Sequence, residues 1–138
     1  MSDPLILTTI ILSMIGLLVL FSRLNTSKSI VRKKSSILKR LNDLKPHAES
    51  DNGYERKDAI IRLDNILSKA LNYKYKNVSN CGENLKNAKN LFRKDTYQNL
   101  WNVHKLRNEI VHRNQLVTLE ESKRAYHVYK LCITRILK

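Results

Sequence analysis

The chain has 138 residues, enough for one small domain plus an appendage, and 26 basic against 12 acidic side chains give it a net charge of +14. This excess favours a polyanionic or membrane-surface partner. Two cysteines exclude a disulfide scaffold, and their spacing offers no zinc motif. Glycine-rich phosphate loops, HExxH and Gly-x-Ser-x-Gly are absent from the sequence. We therefore predict neither a metal ion nor a cofactor.

The first segment in chain order is apolar. Residues 4–22 contain no charged side chain and, as a helix, would extend over roughly 28 Å, close to the thickness of a bilayer's hydrocarbon core. The apolar run is longer than that of a signal peptide and lacks a small-x-small cleavage site, so we predict an uncleaved anchor over residues 1–23 that crosses the membrane with residues 4–22. Positive side chains follow it, and the positive-inside rule then predicts a single-pass protein with the N-terminus outside and a cytoplasmic C-terminal domain.

A basic juxtamembrane linker is predicted over residues 24–53. Within it, residues 28–45 carry a helical stripe of apolar side chains among cations. The stripe consists of Ile30, Val31, Ile37, Leu38, Leu41 and Leu44. This pattern suits a helix lying on anionic lipid headgroups, and equally a positive flank that only fixes topology or extends the membrane helix. Pro46 and the polar residues 47–53 break the pattern and mark the predicted domain boundary.

Residues 54–138 are predicted to form an all-α domain, an antiparallel bundle of four helices. The first helix is predicted over residues 54–72, and three capping patterns open the other three. The pairs are Asn80 with Glu83, Asp95 with Gln98, and Thr118 with Glu121. The apolar face of the first helix consists of Ile60, Leu63, Leu67, Ala70 and Leu71, and the second helix is expected to carry Leu85, Ala88, Leu91 and Phe92. The aromatic side chains at helical spacing are expected to pack the bundle; they are Tyr97, Trp101, Tyr126 and Tyr129. The third helix is expected to run to about residue 113 and the fourth to the C-terminus. Such a bundle has a small core, so we expect a homodimer that covers further apolar surface.

The third helix carries polar residues on its apolar side. At 100° per residue, Arg107 lies in the middle of the apolar arc, with Asn108 and His112 at its edge. A guanidinium there needs a carboxylate, a ligand phosphate or a wet groove between subunits, and a core ion pair to Asp64 or Glu83 is one alternative. His112 lies in the last turn, where the helix dipole favours the imidazolium. It therefore suits proton transfer, or simply caps its own helix.

The sequence RNEIVH at residues 107–112 resembles the Arg-polar-x-x-x-His signature of HEPN domains, the higher eukaryote and prokaryote nucleotide-binding superfamily. In that family the motif lies towards the end of a penultimate bundle helix, as predicted here. The resemblance implies metal-independent RNA cleavage at a composite site of two protomers. It implies that His112 is the general base on a 2′-hydroxyl, that Arg107 stabilises the phosphorane and that Asn108 orients one of these two side chains or the scissile phosphate. Lys105 and Arg113 flank the motif as candidate RNA-binding residues.

Two main functions follow from these observations. The first is a membrane-anchored HEPN-like endoribonuclease, for which we expect Arg107 and His112 to face an open basic cleft. The second is a non-catalytic, membrane-anchored interaction or scaffold module, for which we expect Arg107 paired to a carboxylate and His112 covered. A third hypothesis is a membrane-surface protein that acts through residues 28–45. His104 is predicted to be a core or interface histidine.

Overall fold

A computed structural model describes residues 3–138, so the first two residues of the predicted anchor lie outside the described residues. Within residues 3–138 the protein is helical and contains no β-strand, which confirms the all-α prediction. The helices are α1 (Asp3–Asp43), α2 (Lys45–Ala48), α3 (Gly53–Tyr75), α4 (Cys81–Asn87), α5 (Lys94–Arg113) and α6 (Leu119–Ile136), with a 3-10 helix at Ala88–Leu91.

The N-terminal helix has the length and composition of a membrane span. An 18-residue window in its apolar part has a mean hydropathy of 2.6, and none of these residues is buried within the protein. The prediction of one long apolar helix near the N-terminus is therefore confirmed. Its orientation stays a prediction from the charges that follow it.

The chain divides into two compact units, one ending at Ser36 and the other formed by Ile37–Lys138. The second unit begins well before the predicted domain start, because Leu41, Leu44 and Ala48 are at most 2% exposed and belong to its core. Part of the stripe for which lipid headgroups were one of two interpretations thus packs on protein. A fragment that represents the folded domain has to begin no later than residue 37.

Helix α3 is the central element of this second unit, since α2, α4, α5 and α6 all pack against it. The apolar stripe predicted for this helix is fully buried. Its members are Ile60, Leu63, Leu67, Ala70 and Leu71. Spacings of three and four residues place them on one face, and burying a side chain of this size contributes about 1.5–3 kcal/mol before entropy is counted. A polar residue within this stripe, Asp64, consequently points into the interior.

Two of the predicted helix starts are confirmed. The Asn80 side chain accepts a hydrogen bond from the backbone N–H of Glu83 at 2.9 Å, so α4 begins as expected. At α6 the Thr118 hydroxyl accepts from the Glu121 backbone N–H at 3.2 Å, and the Glu121 carboxylate accepts in return from the Thr118 N–H at 2.9 Å. Both pairs satisfy backbone donors that the first turn of a helix leaves without partners.

The capping prediction for α5 is wrong. The helix starts at Lys94, before Asp95, and its N-cap residue Arg93 makes no side-chain cap. Asp95 lies inside the first turn, where its charge complements the helix dipole, and the Gln98 amide donates to Asn102 at 3.1 Å instead of reaching back. The Asp95–Gln98 pair therefore predicted a helix start near the right place, but two residues after the actual N-cap, Arg93.

The predicted second helix is shorter than expected. It ends at Asn87, and the chain continues as a 3-10 turn before Phe92 takes an extended conformation. Asparagine and lysine dominate this segment, and asparagine is a weak helix former that competes for the backbone's hydrogen bonds. Leu85 and Ala88 are nevertheless buried as predicted, so the segment still covers the core.

Candidate functional site

A buried carboxylate and the polar side chains around it come from four helices. Asp64 on α3 is 3% exposed, and its Oδ1 accepts from the Tyr129 hydroxyl at 3.0 Å. The same oxygen lies 2.9 Å from Nδ1 of His104, and Oδ2 lies 3.7 Å from Nε of Arg107. The Cys81 thiol, from the start of α4, completes the group. We call these five residues the Asp64 cluster.

Tyr129 donates a hydrogen bond to the Asp64 carboxylate, and its phenol stays protonated. The side chain is fully buried, and burial, then the charge and the hydrogen bond of Asp64, raise its pKa well above the ordinary value of 10.0. Its hydroxyl also lies 3.1 Å from the carbonyl oxygen of Val103, so the one phenol proton is shared between two acceptors. A neutral tyrosine in this position orients the carboxylate without competing with it for charge.

The cluster has the residue types of a thiol nucleophile, a base and an orienting carboxylate, in Cys81, His104 and Asp64. Burial and then the Asp64 charge raise the pKa of the Cys81 thiol from 9.0 to about 12, although Arg107 opposes the shift. Nucleophilic cysteines require the opposite, a thiolate stabilised near neutral pH. The electrostatics therefore disfavour thiol catalysis. Sequence reasoning missed Cys81, because its contacts are distant in the chain and match no spacing motif.

Arg107 lies beside one of its predicted partners, the Asp64 carboxylate. Its side chain is 27% exposed, and its buried Nε forms no hydrogen bond. At the outer end of the guanidinium, Nη1 donates to the Asn108 side chain at 3.1 Å. The guanidinium is thus held at one end by charge and at the other by a neighbouring amide, and more than a quarter of the side chain reaches solvent.

The other predicted site residues lie on the open side of α5. His112 and Arg113 are exposed in the last turn, and Lys105 is exposed two residues before Arg107. Arg113 pairs with Glu109 at 3.1 Å. Five positions along a helix separate two residues by about 7.5 Å of rise, and within the described residues no hydrogen bond or ion pair joins Arg107 to His112.

The end of α5 is fixed from α3 by a lysine that the sequence did not single out. The Lys57 ammonium, on a side chain that is 7% exposed, donates to the backbone carbonyl of Asn114 at 3.0 Å and to its side-chain oxygen at 2.7 Å. Asn114 is the C-cap of α5 and has a φ of 51°. A cation on the last carbonyls complements the helix dipole, so the turn that carries His112 is anchored.

His104 also joins an aromatic row along α5. Tyr97 and Trp101 meet edge to face with centroids 6.3 Å apart, and Trp101 meets the His104 imidazole in the same way at 5.8 Å. The His104 side chain is 12% exposed. The prediction of His104 as a core or interface residue agrees with this position, and the half-buried aromatic side chains pack on the domain as expected.

Comparisons with protein-family models, with curated proteins and with solved structures found no match to this chain. The resemblance to HEPN domains therefore depends on the residues of the motif alone. Function has to be argued from the arrangement of Arg107, His112 and the Asp64 cluster.

Proposed function

We propose that the protein is a membrane-anchored, HEPN-like endoribonuclease that acts as a homodimer and needs no metal ion for catalysis. The observation that carries this proposal is the exposure of His112 in the anchored last turn of α5, while Arg107 is oriented by Asp64 one and a half turns earlier. An acid-base group has to be open to substrate, and a charge-stabilising group has to be held in place beforehand.

In the proposed reaction, His112 removes the proton of a 2′-hydroxyl, whose oxygen attacks the adjacent phosphorus. The 5′-oxygen of the next nucleotide leaves and takes a proton from water to become a 5′-hydroxyl, and the other product ends in a 2′,3′-cyclic phosphate. The solvent-facing part of the Arg107 guanidinium stabilises the negative charge of the phosphorane. Asn108, which already accepts a hydrogen bond from Nη1, keeps the guanidinium directed towards the substrate. Arg107 and His112 are separated along one helix, so a composite site in a homodimer supplies them from two protomers.

Electrostatics support RNA as the substrate. The chain carries a net charge of +14, and Lys105 and Arg113 expose cations on either side of the motif. Phosphate contacts of this kind weaken steeply with salt, because each neutralised phosphate releases counterions. Arg113 would exchange its surface pair with Glu109 for a phosphate, a change that costs little because exposed ion pairs contribute about 0–1 kcal/mol.

The anchor places this activity at a membrane. We propose a single-pass orientation with the domain in the cytoplasm, since the basic residues all follow the apolar segment. Anionic lipid headgroups are the proposed partners of the exposed cations before residue 37, among them Lys28, Arg32 and Lys33. The apolar side chains Leu41 and Leu44 take no part in lipid contact, because they are buried in the core.

One observation favours a second candidate, a non-catalytic interaction module. The Arg107 guanidinium faces the buried Asp64 carboxylate, which is the arrangement expected of a structural ion pair. In that function Arg107, His104 and Asp64 stabilise the fold, and the exposed face of α5 binds a protein partner. The two candidates predict different effects on RNA cleavage when the His112 imidazole is removed.

The test uses the compact unit Ile37–Lys138 with labelled single-stranded RNA in EDTA. We expect cleavage products with cyclic-phosphate ends, and a loss of rate of about 10²–10⁴-fold in His112→Ala, the usual contribution of a general base. The matched control is His127→Ala, which removes another exposed histidine, from α6, and should leave the rate unchanged. Sedimentation of the same samples should show a dimer.

Equal cleavage by His112→Ala and the unaltered unit would refute the proposed mechanism. No cleavage by the unaltered unit, and none by the full chain in vesicles containing anionic lipid, would favour the interaction module. Circular dichroism of each variant separates loss of chemistry from loss of fold.

A further inference from the structure

Three side chains in the Asp64 cluster carry donor atoms for a transition metal. The Asp64 carboxylate, the Cys81 thiol and the His104 imidazole each offer one ligand atom, and these atoms lie within 4.8 Å of one another. They come from α3, α4 and α5, so no local spacing in the sequence indicated them. The fold alone brings them together.

The donor set is that of zinc. Thiolate sulfur, imidazole nitrogen and carboxylate oxygen bind Zn²⁺ at about 2.0–2.3 Å, so a tetrahedral ion needs donors about 3.3–3.8 Å apart. The donors here lie within 4.8 Å of one another, so the longest separation has to shorten by about 1 Å to reach that spacing. One thiol and one imidazole favour zinc or a similar late divalent ion over magnesium or calcium, which prefer oxygen.

The surroundings suit a ligated carboxylate. Tyr129 donates to Asp64 Oδ1 at 3.0 Å, the kind of outer contact that orients a metal-binding side chain. Cys81 and His104 are partly exposed, so an ion has access from solvent while the carboxylate stays buried.

Arg107 is the cation that now faces Asp64, and it does so by charge without a hydrogen bond to the carboxylate. Its Nε lies 3.7 Å from Oδ2, makes no hydrogen bond, and belongs to a side chain that is 27% exposed. Two cations cannot share one carboxylate at this distance without strong repulsion. An entering ion would therefore turn the guanidinium towards solvent.

We propose that Asp64, Cys81 and His104 bind one zinc-class divalent ion that ties α3, α4 and α5 together and displaces Arg107 from Asp64. The fourth position of the ion is open to water. Binding of the ion would release Arg107 from the carboxylate that orients it in the proposed RNA chemistry. The site itself does not rest on that chemistry, because metal binding can be measured directly. Its test therefore needs no RNA.

The experiment uses the full chain in detergent, stripped with EDTA, dialysed and titrated with Co²⁺ as a spectroscopic probe. We expect one equivalent of cobalt to produce the visible bands of a tetrahedral ion and a near-ultraviolet thiolate-to-cobalt charge-transfer band, both abolished by an excess of Zn²⁺. Cys81→Ser should lose the charge-transfer band. The matched control Cys132→Ala removes the other thiol, which is fully buried, and should keep it.

Thermal unfolding checks the same ion by another route. Zn²⁺ should raise the Tm of the full chain and of Cys132→Ala, because an ion that binds only the folded state stabilises it, and should leave the Tm of Cys81→Ser unchanged. Arg107→Gln removes the competing cation and should tighten cobalt binding by about tenfold.

Three results would overturn the site. They are an absent charge-transfer band in the unaltered chain, a band that survives in Cys81→Ser, and a band lost in Cys132→Ala. Weaker cobalt binding in Arg107→Gln would overturn the displacement of Arg107. Circular dichroism without metal confirms that each variant is folded before titration.

Discussion

Removing the Asp64 carboxylate should destabilise the domain far more than removing an exposed carboxylate from the same helix. In Asp64→Ala the His104 imidazole loses its buried acceptor, and Arg107 loses the carboxylate beside its Nε. Tyr129 keeps one acceptor, the carbonyl of Val103. The loss therefore falls on two of the three groups that contact the carboxylate.

The magnitude follows from these contacts. Breaking a buried ion pair by deleting one partner costs about 3–5 kcal/mol, and the partial exposure of Arg107 places this case near the lower limit, about 3 kcal/mol. Asp64→Asn retains an oxygen for Tyr129 and His104, but it loses the charge and places an amide NH2 beside Arg107, so we expect about 1–3 kcal/mol. In the control Asp58→Ala the lost partner is Arg62, both side chains are more than half exposed, and the cost is about 0–1 kcal/mol.

Urea denaturation of the unit Ile37–Lys138, monitored by the helical signal in far-ultraviolet circular dichroism, gives the free energy of unfolding of each variant. For a domain of this size, about 3 kcal/mol corresponds to a fall in Tm of about 12 °C or more. A free energy for Asp64→Ala within about 1 kcal/mol of Asp58→Ala would refute the cluster as a buried, interdependent group.

Three further predictions test other parts of the domain. Leu44→Ala should cost about 2–5 kcal/mol in urea denaturation, whereas Leu116→Ala, at an exposed position, should cost less than about 0.5 kcal/mol; equal effects would contradict the burial of Leu44. Lys57→Met removes both hydrogen bonds to Asn114, so it should cost about 1–3 kcal/mol and speed hydrogen exchange in the last turn of α5, and unchanged exchange would refute the anchoring role. Burial raises the pKa of Cys132 from 9.0 to about 12, so the folded state favours the neutral thiol and loses stability as pH rises from 9.0 towards 12. Cys132→Ala should therefore lose about 2 kcal/mol less than the unaltered chain between about pH 8 and about pH 10.5, and an identical loss would disprove the assignment.

Helix type and the buried faces were predictable because both follow from local rules. The spacing of Leu63 and Leu67 set the inner face of α3, and the reciprocal pair Thr118 and Glu121 set the start of α6. The start of the domain was not predictable in this way. Leu41 belongs to a stripe that suits a lipid surface as well as a protein core, and only tertiary packing decides between the two.

The site was predictable in part. An arginine in an apolar arc requires a partner, and Asp64 was among the two carboxylates proposed for Arg107. Cys81 and Tyr129 could not be found, because each reaches Asp64 through long-range packing and neither belongs to a sequence motif. Lys57 was missed for a similar reason, since its acceptor Asn114 lies 57 positions away in the chain.

The contact of Trp101 with His104 gives the protein an intrinsic optical reporter. Trp101 is the only tryptophan in the chain, so its emission originates from one place, 5.8 Å from an imidazole that is bonded to Asp64. Protonated imidazole and bound transition metals both quench indole fluorescence at short range. Events at the buried carboxylate can therefore be followed in real time, in detergent or in vesicles, without attaching a dye.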